Sequence, residues 1–154
     1  MVSGENFEYL GRSYRLKVIE SAQEFVKLTN GYLCLHIKDR DNITKKKKLI
    51  NSWYKAKAQL YIMKLVRQYQ KIVQKDIERI SIRTMKTRWG SCNPKKSYIN
   101  FNIDLIKKSR LAIEYVVFHE LAHLLHYNHD ARFYNYLTTY MPDWQSRKKQ
   151  LSKA

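Results

Sequence analysis

The sequence predicts an α+β protein: small antiparallel sheets packed on a long helix and on a second, buried helix that carries His119-Glu120-Leu121-Ala122-His123. Three observations predict it. Apolar and polar residues alternate at 14–19 and again at 80–85, the period of a half-buried strand. No Gly or Pro interrupts a helical pattern from 45 to 75. From 112 to 128 only Glu114 and Glu120 carry a formal charge, and a helix apolar nearly all round is normally buried.

The elements follow in order. Residues 7–41 form the first section. Tyr14, Leu16 and Val18 alternate with Arg15, Lys17 and Ile19, and segments 24–29 and 32–37 flank Asn30-Gly31, the strongest short hairpin signal. Cys34 packs there as a small apolar residue. The second section is the helix at about 45–75. Leu49, Trp53, Ala56, Leu60, Met63 and Arg67 fall at helical spacing with Ile50 and Val66 beside them, a stripe that reads as core rather than as a ligand surface. The third section, about 77–151, begins with a strand in which Ile80, Ile82 and Thr84 alternate with Ser81, Arg83 and Met85. A segment rich in turn formers follows at 87–94, then a second strand at 98–102. Ser109 is a suitable N-cap for the buried helix, and a last helix at 131–140 stops before Pro142. No internal repeat or low-complexity segment appears. The three sections make one domain, 1–154.

Composition bounds the partners. Thirty Lys and Arg against thirteen Asp and Glu give +17, a field that favours nucleic acid, nucleotides or acidic proteins. The basic clusters at 45–48, 95–96, 107–108 and 147–149 also read simply as solvated faces. No apolar run reaches the roughly 18 residues of a membrane span. The first residues lack the basic and apolar regions of a signal peptide. Cys34 and Cys92 do not make a disulfide framework. These features place the protein in the cytoplasm, away from membranes.

His119 and His123 are four apart, so on a helix both imidazoles lie on one face and can reach a single metal ion. Zinc held by three protein ligands keeps a position open for water, and the carboxylate of Glu120 beside it can take the water's proton. The third ligand is His126 or His129. His119 and His126 are seven residues apart, about 10 Å along a helix axis, too far for bonds of roughly 2 Å from one straight helix. The chain must turn back. Tyr127-Asn128 can do so, because Asn tolerates the left-handed conformation that ends helices. His129 then comes off the turn and Asp130 caps the next helix. His129 is therefore the expected ligand, and His126 stands near the site.

Several motifs carry a resemblance: Arg88-Trp89-Gly90-Ser91-Cys92, the run from Tyr115 to His123, Asn128-His129, Phe133 and Met141-Pro142-Asp143. Together, over about 7–151, the chain resembles the YgjP-like metallopeptidase domain, related to SprT-like proteins and other zincins. The resemblance implies a zincin-like fold, zinc ligands at His119, His123 and His129, and Glu120 as the catalytic carboxylate. It also implies a β element of two or three strands packed against the active-site helix. Arg88 is a candidate for binding a substrate carboxylate or phosphate, or for stabilising an oxyanion; the bland alternative is a tight turn in which Trp89 packs. Cys92 is read as buried rather than as a ligand. Three functions are expected. The first is a zinc-dependent peptidase using a zinc-bound water activated by Glu120. The second is a zinc-dependent nucleoside triphosphate hydrolase, an activity associated with a resembling member. The third is a nucleic-acid-binding module with a retained metal site.

Overall fold

The computed structural model describes residues 2–152. Four strands, β1 (Asn6–Tyr9), β2 (Arg12–Glu20), β3 (Phe25–Thr29) and β4 (Tyr32–Ile37), form a sheet in the order β1-β2-β4-β3. At the β3–β4 turn Asn30 and Gly31 both have positive φ, 50° and 81°. That is the turn whose twist matches a two-residue hairpin. The sheet is mixed, where an antiparallel one was expected: β2 and β4 run parallel, with Leu16 opposite Leu33 and Val18 opposite Leu35. The reason lies in β4, whose Leu33, Cys34, Leu35 and Ile37 are all buried. A nearly continuous apolar strand belongs in a sheet interior, so β4 enters between β2 and β3 and leaves the more exposed β3 at the edge.

Helix α1 spans Ile43–Val73 and begins two residues earlier than expected, because Asn42 caps it by accepting from the Lys45 N–H at 3.0 Å. Its core face is Ile50, Trp53, Tyr54, Ala58, Ile62, Leu65, Val66, Tyr69 and Val73. Leu60 is 73% exposed, so the expected stripe is shifted around the helix. Summed over the helix, the face with Ile50, Trp53, Tyr54, Ile62, Leu65, Val66, Tyr69 and Val73 carries more apolar area than the one with Leu49, Ala56 and Leu60, so it takes the core side. Trp53 and Tyr54 are core residues, and the Tyr54 hydroxyl donates to the Glu8 carbonyl at 2.7 Å.

The second sheet has the order β5-β7-β6, from β5 (Arg79–Arg83), β6 (Gly90–Asn93) and β7 (Tyr98–Asn102). It too is mixed, β5 running parallel and β6 antiparallel to β7. The turn-rich segment 87–94 therefore contains a strand. Its Gly-Ser-Cys-Asn sequence has no apolar alternation, and its structure comes from pairing with β7. A short polar strand is tolerated because β6 lies on the edge. A 3-10 segment, Ile103–Lys107, leads to α2 (Arg110–Ala122), capped by Ser109. The chain ends with α3 (Ala131–Tyr140), α4 (Trp144–Lys149) and a 3-10 turn, Gln150–Ser152. Helix α2 lies between α1 and β6–β7, with Ile113, Val117, Phe118 and Leu121 fully buried. Arg147 on α4 donates to Glu114 at 2.6 Å and to Asp143 at 2.9 Å, tying α4 to α2. Glu114 is thereby accounted for structurally. No helix among the described residues is long and apolar enough to cross a membrane.

Candidate metal centre

His119 lies in the last turn of α2 and His123 caps that helix. Beyond it the chain tightens: Leu124 N–H donates to Leu121, and both Leu125 and His126 N–H donate to Ala122. The bend itself spans 128–130, so the turn expected at Tyr127-Asn128 begins at its second residue. Asn128 is not among the residues with positive φ, so no left-handed cap is used there. Hydrogen bonds to Leu121 and Ala122 finish α2 as a tightened last turn before that bend. Asp130 then caps α3, accepting from the Phe133 N–H at 3.2 Å.

This path brings His119, His123 and His129 together. Their Nε2 atoms form a triangle with sides of 3.2 Å (119–123), 3.0 Å (123–129) and 3.2 Å (119–129). The ring of His126 turns to Tyr136, 5.6 Å between centroids, and only its carbonyl serves the site. That carbonyl accepts from His123 Nδ1–H at 3.0 Å, which leaves a lone pair on His123 Nε2. His119 Nδ1 lies 3.1 Å from the Tyr115 hydroxyl, and with Nδ1–H donating to that oxygen its Nε2 is also free. Lone pairs aimed at one another repel unless a cation lies between them. A tetrahedral metal with bonds of about 2.0–2.1 Å to nitrogen needs nitrogens roughly 3.3–3.4 Å apart. The triangle is within a few tenths of that, so the donor set fits a single metal ion with one side open.

The surroundings suit these imidazoles to a metal. Burial, then the neighbouring imidazoles and Lys148, pushes the pKa of His119 down to about 3. Burial also lowers that of His123. Both rings are neutral near pH 7, the form that binds metal. The fully buried ring of Phe133 lies beside all three imidazoles, at 4.9, 4.4 and 5.2 Å between centroids.

Glu120 is buried beside this triangle. Burial raises its pKa to about 7, against the opposing charge of Arg88. It shares with His119, His123, Arg88, Gly90 and Cys92 a cavity of about 520 Å³. Arg88 is exposed at the cleft, and its charge acts on Glu120. Burial, and then the charge of Glu120, raises the Cys92 thiol to about 12, which disfavours the thiolate a metal would need. Cys92 is not part of the converging set.

Two features escaped the sequence reading. Asn102, at the end of β7, donates through Nδ2 to the carbonyls of Met85 and Arg88, both at 2.9 Å, while its own N–H donates to Trp89. It holds the loop that presents Arg88, and no sequence signal marks it. Tyr115 could have been found, since it lies four residues before His119 on the same helix face.

The model of the YgjP-like metallopeptidase domain family matches residues 1–154. Two crystal structures are similar in fold. The metallopeptidase zymogen of abylysin from Pyrococcus abyssi has a TM-score of 0.53 at 18% identity, covering 58% of this chain and 90% of that one. The metallopeptidase zymogen of jannalysin from Methanocaldococcus jannaschii has a TM-score of 0.52 at 22% identity, covering 58% and 92%. No curated protein matches the chain in sequence. With its whole length matched, the chain belongs to the YgjP-like metallopeptidase domain family.

Proposed function

We propose that the protein is a zinc-dependent peptidase in which His119, His123 and His129 hold the metal and Glu120 is the general base. The observation that carries this reading is the convergence of three imidazole nitrogens at 3.0–3.2 Å, with Glu120 beside them in the same cavity. Three imidazoles with an open fourth side suit zinc. When bound, zinc polarises a substrate carbonyl and brings a water's pKa to about 7.

The chain's own residues do the rest. Glu120 accepts the proton of the attacking water and passes it to the leaving amine. Burial favours this role, because a carboxyl titrating near neutrality can both take and return a proton. Tyr115 and the His126 carbonyl fix the orientation of His119 and His123. Arg88 offers a cation to negative charge in the cleft. β6 has β7 on one side only, so its free edge can pair with an extended substrate chain.

The test is to give zinc-loaded protein a peptide library and a nucleotide panel in parallel, with Glu120→Gln as control. Peptide cleavage that disappears in Glu120→Gln supports the reading. A second reading, hydrolysis of a nucleotide phosphoanhydride, is favoured by Arg88 at the cleft and by the +17 charge. It replaces the first if only nucleotides are turned over.

A further inference from the structure

Three adjoining cavities line the cleft along β6. The central one, about 520 Å³, holds the histidines and Glu120. At the Gly90 end it meets a smaller cavity of about 230 Å³, lined by Arg88, Trp89, Tyr115, Lys148 and Leu151. The two share Arg88, Gly90, His119 and Glu120. At the Asn93 end it meets one of about 570 Å³, lined by Pro94, Lys95, Leu124, Leu125 and Tyr127. These two share Cys92, Pro94 and Tyr127. The three cavities adjoin in series, and the two outer ones differ in chemistry.

The small cavity has two cations, Arg88 and Lys148, and no acid but Glu120. Among the described residues neither cation makes an ion pair with a carboxylate. One comes from the loop before β6 and the other from α4, so they approach from separate elements. At about 230 Å³ the cavity is below the roughly 300–1,000 Å³ of a drug-sized ligand site. It suits one side chain or a chain end rather than a whole nucleotide. The opposite end has one cation, Lys95, and offers the apolar surface of Leu124, Leu125 and Tyr127, the last 67% exposed.

We infer that the cleft is polarised, with Arg88 and Lys148 forming a subsite for a carboxylate on the C-terminal side of the scissile bond. On the N-terminal side Leu124, Leu125 and Tyr127 take an apolar side chain. This rests on the peptidase reading above. The direction follows from strand pairing. Antiparallel pairs predominate roughly two- to three-fold, and a chain antiparallel to β6 runs from the Asn93 end to the Gly90 end. Its C-terminal side then meets the two cations. The carboxylate belongs either to an Asp or Glu side chain or to the free end of the peptide. Arg binds it through a planar fork, and Lys adds a point charge.

The experiment uses binding as well as cleavage. Zinc-loaded Glu120→Gln protein is titrated with labelled peptides carrying Leu followed by Glu, Gln or Lys. A shorter set ends at that position as a free acid or an amide. We expect Glu to bind at least tenfold tighter than Gln, and Lys to bind worst. Lys148→Ala should flatten the difference and Lys148→Glu should invert it, with zinc content and circular dichroism unchanged. Tyr127→Ser should weaken binding of the Leu peptides more than of matched Ser peptides. Stronger binding of the free-acid set assigns the subsite to chain ends, and stronger binding of internal Glu assigns it to side chains. Cleavage of a mixed library by the parent protein, read by mass spectrometry, gives the side of the bond. Affinities equal within twofold, a preference unmoved by Lys148→Glu, or an acidic preference on the N-terminal side would each overturn the inference. If the charge preference in binding holds but the parent cleaves no peptide, the peptidase reading fails and the anion subsite stands.

Discussion

Gly90 and Glu120 are in direct contact: a β-carbon at position 90 would lie 2.9 Å from Glu120 Cγ and 3.2 Å from its Oε2. The carboxylate on α2 rests on the bare backbone of the edge strand. Both the space for Glu120 and the spacing between helix and strand depend on a missing methyl group.

Gly90→Ala must therefore displace Glu120 or β6. The backbone there does not require glycine, since Gly90 is not among the residues with positive φ, so the effect is steric. A misplacement of about 1 Å can cost roughly 100-fold in rate. We expect a loss of that order in peptide hydrolysis with zinc content retained, measured by turnover and metal analysis on one preparation. Undiminished activity would show that Glu120 is not held in place by β6.

The two candidate third ligands separate cleanly. His129→Ala removes a corner of the triangle and should abolish stoichiometric zinc. His126→Ala leaves its backbone carbonyl, the group that meets His123, and should keep zinc near the parent level. Tyr115→Phe removes the oxygen beside His119 Nδ1 and should weaken zinc by about 10- to 100-fold. Competition with a chelator measures all three.

Metal-free protein should show Glu120 in its pH-dependent stability. Its folded pKa of about 7 lies above the ordinary 4.5, so its stabilising contribution is full below 4.5 and is lost as pH rises through 7. At 1.36 kcal/mol per unit, the loss is on the order of 3 kcal/mol. His119 acts in the opposite sense, since its pKa is lowered and its contribution falls away as pH drops below 6.5. The comparison with Glu120→Gln isolates the carboxyl: the variant should gain in melting temperature over the parent between pH 4.5 and 8. A constant difference across that range would contradict the burial of Glu120.

Asn102→Asp replaces a donor facing two carbonyls with an acceptor. Leaving such groups unpaired costs about 1–3 kcal/mol each, so the variant should melt well below the parent. Asn102→Ala should be milder. Because the Arg88 carbonyl is one of the two, the KM for acidic peptides should rise more than kcat falls, with zinc bound as before. A change confined to melting temperature would leave Asn102 a purely structural residue.

What was legible in the sequence was local. Asn30-Gly31 announced its hairpin, Asp130 and Pro142 bracketed α3, and Ser109 marked the start of α2, because turn and cap chemistry acts over a few residues. The histidine triangle was legible too, from helical spacing and reach. Non-local structure was hidden. Nothing in Gly90-Ser91-Cys92-Asn93 shows that it pairs with Tyr98–Asn102, and nothing in β2 shows that β4 will lie parallel to it. The core face of α1 is hidden as well, because exposed Leu60 and buried Leu65 are equally apolar and only packing separates them. Lys148 looked like one basic residue among three at 147–149, and only the docking of α4 brings it to the cleft.

The ring of Phe133 adds a consequence of another kind. It belongs to α3, yet it lies beside every imidazole of the metal centre. Occupancy of the metal should then favour docking of α3, and docking of α3 should favour occupancy, by linkage. Stripping the metal should expose amides of α3 to hydrogen exchange while those in the middle of α1 stay protected. Zinc content would then report on how firmly the C-terminal part of the chain is held.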